Sequence, residues 1–213
     1  MASSSGISRR RAAAKAEASA PYRARRRELI AVAADVFRRQ GLAGTSIDDV
    51  ARAAGVDRAT LYYYVGSKNE LFEEVVVEAL VANVELAERI RAADAPPDEK
   101  LGELVAAVIR SYADNFPHLF VFAQENAEHL PSIGSGHDIR GLQRRFDRAV
   151  IGLIEEGVAR GVFRLDVSPR LAAYGIIGMV NWTHRWFHPD GAVGADAVGE
   201  AFARVAVEGL RRR

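Results

Sequence analysis

Between Thr45 and Glu70 the chain signals a helix start three times. Thr45 and Ser46 each stand three residues before an acid, Asp48 and Asp49; Asp57 precedes Arg58; and Ser67 stands three residues before Glu70. This is the spacing of capping boxes, in which an oxygen-bearing side chain closes the open amides of the first turn. Ile47, Val50, Ala51 and Ala54 share one face of the first helix, and Gly55 follows where a left-handed residue ends it. The spacing therefore predicts two short helices, the second running from Arg58 to Tyr64, joined by a turn of about three residues. That geometry is the helix-turn-helix, whose second helix enters the major groove of DNA.

The second helix carries suitable chemistry. Arg58 offers a fork of donors that matches a guanine edge, and Ala59 is small enough for close approach and for contact with a thymine methyl. Hydroxyls of Thr60, Tyr62 and Tyr63 reach toward phosphates, while Leu61 points inward. A third helix opens at Ser67, and its positive end together with Lys68 forms a phosphate seat. The expected DNA-contacting set is Thr45, Ser46, Arg58, Ala59, Thr60, Tyr62, Tyr63, Tyr64 and Lys68. The alternative is that the three tyrosines are packing aromatics.

Positions 29–72 resemble the DNA-binding domain of the TetR family of bacterial transcriptional regulators. Thr45, Gly55, Leu61, Tyr62, Tyr63, Lys68 and Leu71 stand at its characteristic positions. Tyr64 and Val65 replace the family's usual histidine and phenylalanine, and Asp57 its frequent serine, which bears on one phosphate contact and on the half-site sequence. The resemblance implies a three-helix head on double-stranded DNA, read as a palindromic operator by a homodimer.

Charge is divided unevenly. Residues 1–27 hold eight Lys/Arg and one acid, Glu17, whereas the remaining 186 residues balance to −6, within a chain of 213 residues and net charge +1. A basic arm gains affinity for phosphates while an acidic body is repelled, which orients the molecule; the alternative is a solvated tail. The expected organisation is a disordered arm over 1–21, a DNA-binding domain over 22–68 and a ligand-binding and dimerisation domain over 69–213. The absence of cysteine suits a reducing cytoplasm. No apolar run approaches the roughly 18 residues of a membrane span.

Helical periodicity persists beyond the head. Segments from Ser67 to Ala93, Asp98 to Asn115, Pro117 to Leu130, Ile139 to Arg160, Pro169 to Phe187 and Asp196 to Leu210 are punctuated by proline or glycine, without strand alternation. With a first long helix from Arg23 to Gln40, stopped by Gly41, the fold class is all-α, with about nine helices. The helix over 169–187 is apolar around much of its circumference and, with 196–210, is expected to form a two-fold interface between protomers. Tyr112, Phe116, Phe120, Phe122, Trp182 and Trp186 are candidates for an effector cavity, with Arg185 placed to hold an anionic group. Residues 119–130 and 178–191 look like the ligand domain of TetR-family members that respond to acyl-CoA thioesters, so the expected effector is a small hydrophobic molecule or an acyl-CoA.

No cofactor is expected. Glu125/His129 and His184/His188 each have the four-residue spacing that two ligands on a helix need, but neither completes a metal site. The helices contain no nucleophile elbow and no acid–base pair, which argues against an enzyme. A constitutive DNA binder without an effector and an all-α enzyme are the remaining alternatives.

Overall fold

The computed structural model describes residues 19–125 and 138–211. Most of the expected basic arm, together with His129 and His137, lies outside the described residues. Helix α1 spans Ala20–Gly44 and opens with the Ser19 hydroxyl accepting the Tyr22 N–H and Pro21 in its first turn. It therefore starts inside the stretch expected to be unstructured, because serine followed by proline is itself a helix start. At Gly41 the backbone turns left-handed, φ 69°, and kinks the helix where its regular part ends.

Helices α2 (Ile47–Ala53) and α3 (Arg58–Tyr64) follow, each seven residues long. Ser46 and Asp49 form the reciprocal capping box on α2, and Asp57 accepts the Thr60 N–H at the head of α3. Gly55 takes φ 65° between them, a conformation that a Cβ would strain. Leu61, fully buried, pins α3 onto a core with Leu29, Phe37, Val50, Leu71 and Phe72. Burial of such a leucine stabilises the head by roughly 2 kcal/mol.

Helix α4 (Lys68–Ala92) extends about 37 Å from the head into the body. Its first turns, Leu71, Phe72, Val75 and Val76, belong to the head core, whereas Ala87 and Ile90 belong to the body core. The expected boundary at 68/69 thus falls at the start of an element that both cores share. The body is built from α5 (Pro97–Asp114), α6 (His118–Gln124), α7 (Ile139–Ala159), α8 (Pro169–Asn181) and α9 (Ala195–Leu210). The segment expected to be helical to Phe187 leaves the α-helix after Asn181 and continues as a 3-10 turn, Trp182–Arg185. Among the described residues there are nine α-helices, one isolated bridge between Phe163 and Arg211, and no strand.

Helix α9 lies along α5, where a Cβ added at Gly199 would stand 3.1 Å from Ala106 Cα, so glycine sets that approach. Helix α4 packs on α7 and on α1. The short α6 bridges the cores: Leu119 is buried in the body and Val121 in the head.

Candidate functional site

On the reader helix the side chains sort by burial. Arg58 and Ala59 are exposed, Thr60, Tyr62, Tyr63 and Tyr64 are half-buried, and Leu61 is buried. Arg58 is held in place: its Nη1 lies 3.2 Å from Asp48 Oδ2 on α2, its Nη2 lies 3.4 Å from the Tyr62 hydroxyl, and its guanidinium lies over the Tyr62 ring. The Tyr62 hydroxyl and the Asp48 charge favour the guanidinium further and raise its pKa. A preorganised fork lowers the entropy lost when it meets a base edge.

Two tyrosines serve as packing groups. Tyr64 stacks on Tyr22 of α1 at 4.9 Å, and Tyr63 meets both rings edge-on. Tyr22 was not picked out by the motif; its signal is its place seven residues before Leu29 on one face of α1. Ser46 is exposed but committed to its box: its hydroxyl lies 2.6 Å from Asp49 Oδ2, and these bonds hold the pKa of the Asp49 carboxyl down to about 2.

Thr45 and Lys68 sit differently from the set expected on the DNA. Thr45 is buried and its hydroxyl donates to Gly41 O at 2.7 Å. Lys68 Nζ donates to Leu42 O at 2.7 Å and to Thr45 O at 2.8 Å. The kink after α1 frees those carbonyls, and an ammonium with its three donors is the group that satisfies them. Both residues brace the turn into α2 rather than present a free side chain. A further brace comes from the body, where Glu125 Oε1 accepts the Leu42 N–H at 2.8 Å.

In the body a cavity of about 70 Å³ opens between α4, α5, α6, α7 and α8. Leu80, Leu104, Val108, Leu119, Phe146 and Ile177 are among its apolar walls. Polar groups enter from Asn83, Tyr112, Gln143, Asp147 and Asn181. The Tyr112 hydroxyl donates to Asn181 Oδ1 at 3.0 Å, and burial raises its pKa.

Two family models match the chain. The first, bacterial regulatory proteins of the tetR family, matches residues 29–75, and the second, the tetracyclin repressor-like C-terminal domain, matches residues 94–210. The chain belongs to the TetR family. It is 30% identical to the HTH-type transcriptional repressor KstR2 of Rhodococcus jostii over 189 residues, 87% of this chain and 91% of that one. Its fold is similar to that of the TetR family transcriptional regulator PfmR from Thermus thermophilus, with TM-score 0.73, 32% identity and coverage of 86% and 99%. It is likewise similar to the ketosteroid transcriptional regulator KstR2 of Mycobacterium tuberculosis, with TM-score 0.79, 26% identity and coverage of 89% and 96%. This TetR-family chain is a DNA-binding transcriptional regulator.

Of the seven residues expected to bind ligand, Tyr112 and Phe122 line the cavity of this TetR-family body. Phe116, Phe120, Trp182, Arg185 and Trp186 are not part of its lining. Phe116 meets Phe120 at 5.7 Å and His188 at 4.8 Å, and Arg185 lies over Trp182, which is 61% exposed. For Trp182, Arg185 and Trp186 the reason is the end of α8 at Asn181, after which the chain no longer follows the helix face that Ile177 and Asn181 present to the cavity. The wall residues that the aromatics overshadowed, Asn83, Gln143 and Asp147, had a signal of their own. Each is a polar residue interrupting an apolar helical stripe, Asn83 between Leu80 and Ala87, and Gln143 and Asp147 between Ile139 and Val150. Among the described residues no group of three His, Asp or Glu is placed to hold a metal ion.

Proposed function

We propose that the protein is a repressor whose homodimer sits on a palindromic operator and is released by a small apolar effector in the cavity between α4 and α8. One observation carries this reading. Leu80, Asn83 and Val84 on the cavity wall belong to the same helix, α4, whose first residue, Lys68, ties the turn between α1 and α2. A guest that spreads the cavity wall displaces that lever. The reader separation then leaves the value that a fixed groove spacing demands. The effector must bind the displaced arrangement more tightly than the DNA-bound one, or it shifts nothing.

The reader side chains in this proposal are Arg58, Ala59, Thr60 and Tyr62, with Ser46 and the tyrosine hydroxyls at phosphates. The homodimer forms through α8 and α9. Leu171, Trp182 and Val205 are each about 60% exposed, and Gly175, Gly178, Ala197 and Ala201 continue the same outward faces. In a lone protomer that apolar surface faces water; a two-fold partner buries it. No helix of the described residues is long and apolar enough to cross a membrane, and a regulator of chromosomal DNA works in the cytoplasm.

For an acyl-CoA effector, the apolar portion enters the cavity and the phosphates stay outside, since no Lys, Arg or His lines the wall. The ligand is bound and not turned over, and mass spectrometry of recovered ligand checks this. The test of the whole reading is selection from a random duplex library. The expected winners are inverted repeats bound by a dimer, with Arg58→Ala relaxing one base preference in each half. Absence of any sequence preference at low and moderate salt sinks it.

A further inference from the structure

The cavity wall leaves three polar side chains unanswered. Tyr112 and Asn181 satisfy one another, but Asn83, Gln143 and Asp147 have no hydrogen-bond partner among the described residues. Asn83 is buried, at 7% exposure, and faces the cavity space; Gln143 and Asp147 are half-buried beside it. Their polar atoms are not sealed off from the cavity space, so each is open to bond whatever fills it. The chemistry of the missing partner can be read from the set. An ionised carboxylate accepts and cannot donate, and an amide does both. No cation lines the cavity; Arg170 is the positive charge whose field reaches Asp147, opposing the rise in its pKa that burial causes. A second anion beside Asp147 is therefore repelled, while a hydroxyl or amino group is welcomed.

We propose that the portion of the effector inside this cavity is an apolar alcohol or amine, whose O–H or N–H donates to Asp147 and whose polar head is also bonded by Asn83. The inference rests on the reading of this cavity as the effector site. It adds that the cavity selects against carboxylates and that the selection is made across two helices. Asn83 stands on α4 and Gln143 and Asp147 on α7, so the polar head is sensed by the lever that leads to the reader. The volume of about 70 Å³ is half of the roughly 150 Å³ that accepts benzene, so binding must separate those helices.

The test uses the full chain and three probes matched in apolar length, octan-1-ol, octylamine and octanoate, titrated calorimetrically at neutral pH. Octan-1-ol and octylamine are expected to bind at least about tenfold more tightly than octanoate, the worth of one charge-assisted hydrogen bond. Asp147→Asn is expected to shrink that gap to less than about threefold, and Asn83→Leu to weaken octan-1-ol by about threefold or more without lowering the unfolding temperature. Octanoate binding as tightly as octan-1-ol, or a gap that survives Asp147→Asn, overturns the proposal and leaves the regulator reading standing. Failure of all three probes to bind overturns the proposal and the effector cavity together. If the preference holds but none of the probes releases a selected duplex, the ligand class is right and the cavity's control of DNA is wrong.

Discussion

The surface of the reader and the wall of the cavity treat their polar groups in opposite ways. Around the reader, the Ser46 box, the Asp57 cap, the Arg58–Asp48 pair and the two carbonyls on Lys68 are bonded within the protein, although Glu73 beneath them keeps one buried oxygen without a hydrogen bond. In the cavity wall Asn83, Gln143 and Asp147 are left open, in a space too small for a sizeable guest. A surface that must match a rigid duplex gains from being finished in advance, because little ordering then remains at binding. A cavity that must change shape on binding gains from keeping bonds in reserve, since those bonds supply the differential affinity that moves an equilibrium.

The contrast can be broken most severely at Leu61, on which the reader's orientation depends. Leu61→Ala is expected to cost about 2–5 kcal/mol in urea unfolding and to abolish sequence-specific binding with it. At Arg58 the two properties should separate. Arg58→Ala is expected to cost about 1–3 kcal/mol on the selected duplex, read by fluorescence anisotropy, with an unfolding midpoint within experimental error of the parent.

Lys68 sharpens the question of which head residues read and which brace. As a phosphate ligand it would lower the salt slope by about one when replaced; as the partner of Leu42 and Thr45 carbonyls it should not. Lys68→Met is therefore expected to cost about 1–3 kcal/mol of stability with the slope of log affinity against log salt unchanged.

The smallest effect concerns an exception in the head's neighbourhood. Glu73 on α4 is 1% exposed, and its Oε2 has no partner among the described residues. Burial, with the charges of Glu70 and Glu74, lifts its pKa above the ordinary 4.5. A raised acid contributes stability that is fully present below the unfolded value and lost as pH rises through the folded one. Glu73→Gln should be neutral at pH 4 and stabilising by about 1 kcal/mol at pH 8, measured by thermal unfolding at both values.

The fraction of this molecule legible in the sequence differs between the same two regions. Caps, turn glycines and the Arg58–Tyr64 helix follow from spacing within a few residues, because the bonds that make them are local. The hydrogen bonds of Thr45 and Lys68 did not, since an exposed and a buried side chain look alike in a motif and the carbonyls that accept from Lys68 lie 26 and 23 residues away. In the body the aromatics drew attention to Trp182, Arg185 and Trp186. The chain leaves the α-helix at Asn181, which carries those residues outward.

By itself, then, the order of residues determined an all-helical chain with a helix-turn-helix near its start and further helices beyond it, because hydrophobic period and capping chemistry act over single turns. Which polar groups end up sharing one cavity was decided by the packing of α4 against α7, helices far apart along the chain. No local spacing encodes that Asn83 and Asp147 line one cavity, and it is on that placement that the proposed choice of effector rests.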